Sequence, residues 1–142
     1  VIVITNQSGI ARGFFDEEHL VLIHKKLMRM LGEEEIMIDD IYYCPHLAEG
    51  IIEQYKIDCD CRKPKTGMFH DAARKHHIDL TQSVMIGDSE VDMQAGKNAG
   101  CKCVLIKNSC VDATAGTTHV ENTDFVAKDL LEAAQLFTNG VK

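Results

Sequence analysis

The chain lacks tryptophan, has two prolines and 6% aromatic residues, and its 15 Lys and Arg are outnumbered by 22 Asp and Glu, for a formal charge of −7. A surface of that sign repels a phosphate backbone unless a cationic pocket is set into it. No basic, aromatic stripe is present to stack bases, which argues against a nucleic-acid partner. No apolar run approaches the roughly 20 residues needed to cross a bilayer, and no basic-then-apolar leader precedes a small-residue cleavage site. A membrane partner is therefore not expected, and the default compartment is the cytoplasm. GxGxxG and GxxxxGK[ST] are both missing, which lowers the case for a nucleotide-dependent enzyme. No repeat, low-complexity tract or linker divides the 142 residues, so one domain is expected. The chain opens at Val1 without an initiator Met, directly on a β-branched run, and further chain is expected ahead of it.

What is present alternates between strands and helices. Val1-Ile2-Val3-Ile4 reads as a buried strand, followed by the polar loop Thr5-Asn6-Gln7-Ser8-Gly9. Leu20, Ile23, Leu27 and Met30/Leu31 recur at helical spacing over about Asp16 to Leu31, with Gly32 as the stop. A strand over about Asp40 to Tyr43 leads into an irregular stretch, Cys44 to Lys65, that holds both Pro45 and Pro64. Thr66 is placed to cap a helix over Gly67 to His76. Val84 to Ile86 is a strand ending at Gly87-Asp88, Glu90 to Ala99 a helix stopped by Gly100, and Lys102 to Ile106 a strand. A last helix is expected over about Ala127 to Phe137. The series predicts an α/β fold, a Rossmann-like doubly wound parallel sheet with helices on both faces.

Ligands in such sheets sit at the carboxyl ends of strands, and three polar clusters fall there. Thr5-Asn6-Gln7-Ser8 offers hydroxyls, amides and backbone N–H groups of the kind that cradle an oxyanion, or else a simple Asx-type turn. Arg62-Lys63-Pro64 sets two cations into an acidic chain; an Arg fork and a Lys point charge suit a dianionic substrate, although an exposed basic pair without a partner is the commoner case. Gly87-Asp88-Ser89-Glu90-Val91-Asp92 puts a carboxylate just past a strand and a second on the next helix. Asp88 suits Mg2+, with Asp92 behind it bonding the loop; Asp88 as a plain helix cap is the competing reading.

The cysteines and histidines give a fourth constellation. Cys44-x-His46 and Cys59-x-Cys61 are two close pairs flanking a loop, a donor set for one structural Zn2+ that would order residues 44–61. Unligated burial is the competing reading, and it suits Cys101 and Cys103 on their strand better. Cys110 has no evident partner. His19, His24, His70, His76, His77 and His119 lack ligand spacing, and the six methionines, Met28 and Met30 among them, are core filler.

An apolar strand ending in Thr5, then Lys63, then GDxxxD from Gly87 to Asp92, in that order, resembles the haloacid dehalogenase superfamily of phosphatases. Tyr43-Cys44-Pro45-His46 and Cys59-Asp60-Cys61-Arg62-Lys63-Pro64 resemble its heptose-bisphosphate and histidinol-phosphate phosphatases, and the run Ser8-Gly9-Ile10-Ala11-Arg12-Gly13 favours the heptose branch. The resemblance implies hydrolysis of a small sugar phosphate through an aspartyl-phosphate, with Mg2+ and Zn2+ as cofactors, and a monomer is expected. It assigns Thr5 and Lys63 to the phosphoryl group, Asn6, Gln7, Ser8, Arg62 and Ser89 to substrate, and Asp88 to Mg2+. Asp92 stands behind that metal, and Cys44, His46, Cys59 and Cys61 take Zn2+. Ser89 departs from the lysine often found there. The family's DxDGT segment, with nucleophile and general acid, has no equivalent here, so an N-terminally truncated chain without its first central strand, and inactive alone, is expected. A zinc-stabilised phosphate-binding domain without catalysis is the alternative from another class.

Overall fold

The computed structural model of the protein describes residues 1–107 and 121–138. Cys110 and His119 lie outside them. The described chain forms two compact units, one of residues 1–62 and 67–72, the other of residues 63–66 and 73 onward.

In the first unit, β1 (Ile2–Asn6) runs parallel to β2 (Asp40–Cys44), with Ile2 opposite Asp40 and Asn6 opposite Cys44. Between them, α1 (Glu17–Glu33) starts where Asp16 Oδ1 accepts the His19 N–H at 2.8 Å, and Glu17 and Glu18 place negative charge on the first turn. Gly32 does not stop this helix, contrary to expectation. A 2.8 Å Arg29–Glu33 ion pair spans the last turn, and the chain leaves the helix only at Glu34, before Glu35 turns left-handed at φ 58°. Leu20 is buried, whereas Leu22, Ile23 and Met30 on the same helix are exposed. α2 (Gly67–His76) begins after Thr66 as predicted, but the Thr66 side chain makes no capping bond; the Gly67 N–H bonds the Asp60 carbonyl at 2.9 Å instead.

The second unit carries a parallel sheet in the order β3 (Val84–Gly87), β4 (Lys102–Ile106), β5 (Phe125–Ala127). α3 (Glu90–Asn98) covers one face, where Met93, Cys103, Leu105 and Met85 pack together. α4 (Leu130–Thr138) covers the other, with Val104, Ala127, Ala133 and Phe137. Helices on both faces are thus present around this sheet, as predicted. Ala127, expected in the last helix, closes β5 instead. The helix is delayed because Asp129 Oδ1 takes the Glu132 N–H at 2.8 Å and Glu132 Oε2 takes the Lys128 N–H at 2.6 Å, which fixes its start at Leu130. Among the described residues the strands form a two-stranded sheet in the first unit and a three-stranded sheet in the second. Among the described residues, no helix is long and apolar enough to cross a membrane.

Candidate active site and metal centre

The first unit builds its polar loop and its thiol cluster as one piece. β1 and β2 end side by side at Asn6 and Cys44, and the Gln7 N–H extends the ladder to the Cys44 carbonyl at 2.8 Å. Gln7 Nε2 turns back to donate to Thr5 Oγ1 at 3.1 Å. Successive turns over Gln7 to Phe14 then bury Ile10 and Ala11, and the Ala11 carbonyl accepts from both Ile51 N (2.8 Å) and Ile52 N (3.0 Å). Within the irregular stretch, Leu47 N bonds Tyr55 O at 3.0 Å, and the His46 and Tyr55 rings lie 6.3 Å apart. The loop has backbone partners but little apolar filling, since Ile51, Ile52 and Ile57 are exposed.

At the base of that stretch Cys44, His46, Cys59 and Cys61 bring one donor atom each to within 4.8 Å of one another. The sulfurs stand 3.0, 3.1 and 3.4 Å apart, and His46 Nδ1 is 3.4 Å from Cys61 Sγ and 3.8 Å from Cys44 Sγ. A tetrahedral ion with Zn–S bonds of about 2.3 Å needs sulfurs about 3.8 Å apart, so the donors fit Zn2+ after parting by under about 1 Å. Three soft thiolates and an imidazole select that ion over hard cations. The thiols of the group differ in how they hold their protons. Burial pushes the Cys61 thiol up, reinforced by the Cys44 and Cys59 sulfurs, whereas Cys59, despite burial, is drawn down to about 7 by hydrogen bonds from Cys61, Cys44 and His46. Arg62, next in sequence, donates from Nη1 to the His46 carbonyl at 3.1 Å, which ties the cation to a member of the cluster.

The second unit gathers Lys63, Asp88, Ser89 and Asp92. Lys63 is a buried cation, its side chain 9% exposed, and its Nζ lies 2.5 Å from Asp92 Oδ1. Asp92 Oδ2 accepts from Ser89 Oγ at 2.7 Å, and Ser89 Oγ in turn accepts the Asp92 N–H. Ser89, not Asp88, is therefore the cap of α3. Asp88, relieved of that role, is an exposed carboxylate at the carboxyl end of β3, a hard oxygen donor of the kind Mg2+ takes. Burial would raise the Asp92 carboxyl, but the Lys63 ammonium and the Ser89 hydroxyl outweigh it and hold the group below the ordinary carboxylate range. Gly87 gives this arrangement its room: a Cβ there would meet Asp92 Cβ at 2.4 Å and Oδ2 at 2.8 Å. Gly87→Ala is accordingly expected to destabilise the protein by about 1–3 kcal/mol, the usual range for overpacking, which urea unfolding would measure.

Sequence reasoning missed a second support for Lys63. Asn98 Nδ2 donates to the Pro64 carbonyl at 3.1 Å, and Gln94 and Asn122 stand behind Asn98 in a chain of amides. Gln94 and Asn98 are four apart on a helix and so share a face; that was the available signal, but nothing in the letters joins them to Pro64. Cys103 on β4 and Cys101 just ahead of it are buried free thiols, as expected, and among the described residues neither joins a group of possible metal donors.

Comparison with known proteins agrees with this geometry. A family model described as "HAD-hyrolase-like" matches residues 60–133. The chain is 48% identical over 108 residues to the D-glycero-beta-D-manno-heptose-1,7-bisphosphate 7-phosphatase of Haemophilus influenzae, covering 75% of this chain and 58% of that one. To the enzyme of the same name from Haemophilus ducreyi it is 40% identical over 134 residues, 93% of this chain and 71% of that one. The chain spans between half and three-fifths of the length of the first three curated relatives it matches. Among solved structures, the D,D-heptose 1,7-bisphosphate phosphatase from B. bronchiseptica, complexed with magnesium and phosphate, superposes with a TM-score of 0.82 at 37% identity, over 99% of this chain and 75% of that one. The order of motifs, the parallel sheets and these likenesses converge: the chain belongs to the haloacid dehalogenase-like hydrolases.

Proposed function

We propose that this chain is the body of a Mg2+-dependent phosphatase that removes the 7-phosphate of D-glycero-D-manno-heptose 1,7-bisphosphate. The match to the Haemophilus ducreyi phosphatase, which extends over 93% of the chain, carries this reading. The chemistry of the residues supports it, because phosphoryl transfer depends on positioned charge more than on covalent elaboration.

In this reading Lys63 neutralises the transferring phosphoryl group and Thr5 bonds it through its hydroxyl. Asn6, Gln7 and Ser8 line the substrate site, Arg62 grips a phosphate, and Ser89 adjoins substrate while capping α3. Asp88 would hold Mg2+, which when bound supplies charge neutralisation at phosphoryl oxygens, and Asp92 fixes Lys63 beside it. Zn2+ on Cys44, His46, Cys59 and Cys61 is structural, since four protein donors leave no open position for a reacting group. The substrate is a small sugar phosphate, and the working unit is a monomer in the cytoplasm. No DxDGT segment occurs among residues 1–142. The nucleophile and general acid must come from such a segment, so the chain of 142 residues is inactive by itself.

The test is phosphate release from D-glycero-D-manno-heptose 1,7-bisphosphate. Residues 1–142 alone are expected to give no release above blank with Mg2+. A protein that carries a DxDGT segment ahead of Val1 is expected to turn over and to lose at least about a hundredfold in kcat on Lys63→Met, the usual scale for one charge-stabilising group. Turnover by residues 1–142 alone, or faster release from histidinol phosphate, would overturn the assignment.

A further inference from the structure

Helix α3 holds the Lys63–Pro64 turn at two places. Asp92 takes the Lys63 ammonium at 2.5 Å, and Asn98, near the other end of the helix, donates from Nδ2 to the Pro64 carbonyl at 3.1 Å. Asn98 is itself held. Its Oδ1 accepts from Gln94 Nε2 at 2.8 Å, and Gln94 Oε1 accepts from Asn122 Nδ2 at 2.8 Å. Each amide donates through nitrogen and accepts through oxygen, so the three run head to tail; turning any one over would set like atoms face to face.

The far end of the series is anchored as well. Asn122 is left-handed at φ 63°, a conformation asparagine tolerates, and two residues on Asp124 accepts the Cys103 N–H at 2.7 Å and pairs with Lys97 at 2.5 Å. The segment at the start of β5 is thereby fastened to α3 and β4, and the amides pass that fixed point on to Pro64.

We infer that Asn98 is a positioning residue for Lys63. The series Asn122–Gln94–Asn98 fixes the Pro64 carbonyl, hence the course of the main chain as it leaves Lys63, and so where the ammonium stands when Asp92 receives it. The inference deepens the phosphatase reading and rests on it for the role of Lys63: a cation that neutralises a transferring group must be set to within a fraction of an ångström, and its carboxylate partner alone fixes only its tip.

Acylation of the 142-residue chain by an amine-reactive ester, followed lysine by lysine by mass spectrometry, tests this. Lys63 in the parent is expected to react at least tenfold more slowly than exposed Lys25. Asn98→Asp keeps the shape and the acceptor for Gln94 but loses the donor to Pro64, and is expected to speed labelling of Lys63 threefold or more. Gln94→Ala, which adds no charge, is expected to do the same. Lys97→Gln breaks the neighbouring ion pair and leaves the amide series whole, so the Lys63 rate should not move. Unchanged labelling in Asn98→Asp and Gln94→Ala, or an equal rise in Lys97→Gln, overturns the inference. In the heptose-bisphosphate assay of the longer protein, the first two variants should lower kcat with KM unchanged. Labelling requires no turnover, so the expected pattern in a protein that never hydrolyses the substrate sinks the phosphatase reading alone, whereas full kcat with unmoved labelling sinks the positioning role alone.

Discussion

Asp92→Asn is expected to cost about 3–5 kcal/mol of folding stability at pH 7, the range for breaking a buried ion pair from one side. The loss comes less from the missing attraction than from what is left behind: Lys63, 9% exposed, would stay a buried cation after losing the carboxylate that meets its ammonium at 2.5 Å. Urea unfolding of parent and variant gives the number, and a difference under about 0.5 kcal/mol would refute the account, since that is the level of ordinary surface substitutions. Replacing both partners, Lys63→Met with Asp92→Leu, should recover most of the stability, because no buried charge remains to be compensated. The pair also fixes a pH signature. Asp92 in the folded protein lies below its ordinary value of 3.8, so the unfolded chain takes up the proton first as pH falls. The contribution is complete at neutral pH and above 3.8, and disappears as pH drops through the folded value. Asp92→Asn should flatten that acid limb while leaving the profile above pH 5 parallel to the parent.

Removal of Zn2+ by a strong chelator is expected to lower the melting temperature by at least about 10 °C, equivalent to roughly 3 kcal/mol or more for a chain of this size. Metal binding is folding energy where the ligands have no other reason to converge, and the stretch from Cys44 to Lys65 has few buried apolar side chains besides Leu47. The damage should not stop there. Cys44 closes the ladder to β1 and its carbonyl holds the Gln7 N–H, so the polar loop after β1 loosens with the metal. Hydrogen exchange would show faster exchange at Gln7, Ile51 and Ile52 on chelation, with amides of β3 and β4 unaffected. Cys59→Ser should reproduce the effect without chelator. A chain that melts at the same temperature with and without chelator, and releases no zinc to a colorimetric indicator, would remove the metal from the account.

How much of this was legible in the letters follows from the range of the forces involved. The thiol cluster could be read because two x-spaced pairs separated by a polar loop have few other uses, and α1, α2 and α3 because helical periodicity is local, although neither Thr66 nor Asp88 supplies the side-chain cap read for it. The stop placed at Gly32 failed for a local reason too: a glycine's interior penalty is about 1 kcal/mol, and a tertiary frame with an Arg29–Glu33 pair exceeds it. β5 was missed since three residues, Phe125 to Ala127, are too few to show a period, and only the neighbouring β4 makes them a strand. Asp92 was visible as a second carboxylate four residues after Asp88, but its bond from Ser89 was not, because the cap reading fell on Asp88 and the structure gives that place to Ser89. The bond from Asn98 to Pro64 was not visible, because its partner is a main-chain carbonyl 34 residues away and no side-chain pattern records such a bond.

The carbonyl of Ala11, shared by two successive amide nitrogens from the metal-bearing loop, has a consequence for how this scaffold can be altered. A single oxygen with two donors sets a common distance for both strands of the contact, so neither side can lengthen or shorten on its own. Residues 7–14 and residues 44–57 are one cassette. Transplanting the first into a relative without the second would leave two amides facing a mismatched acceptor, and any exchange of the Gln7–Gly13 turn must carry residues 44–57 with it.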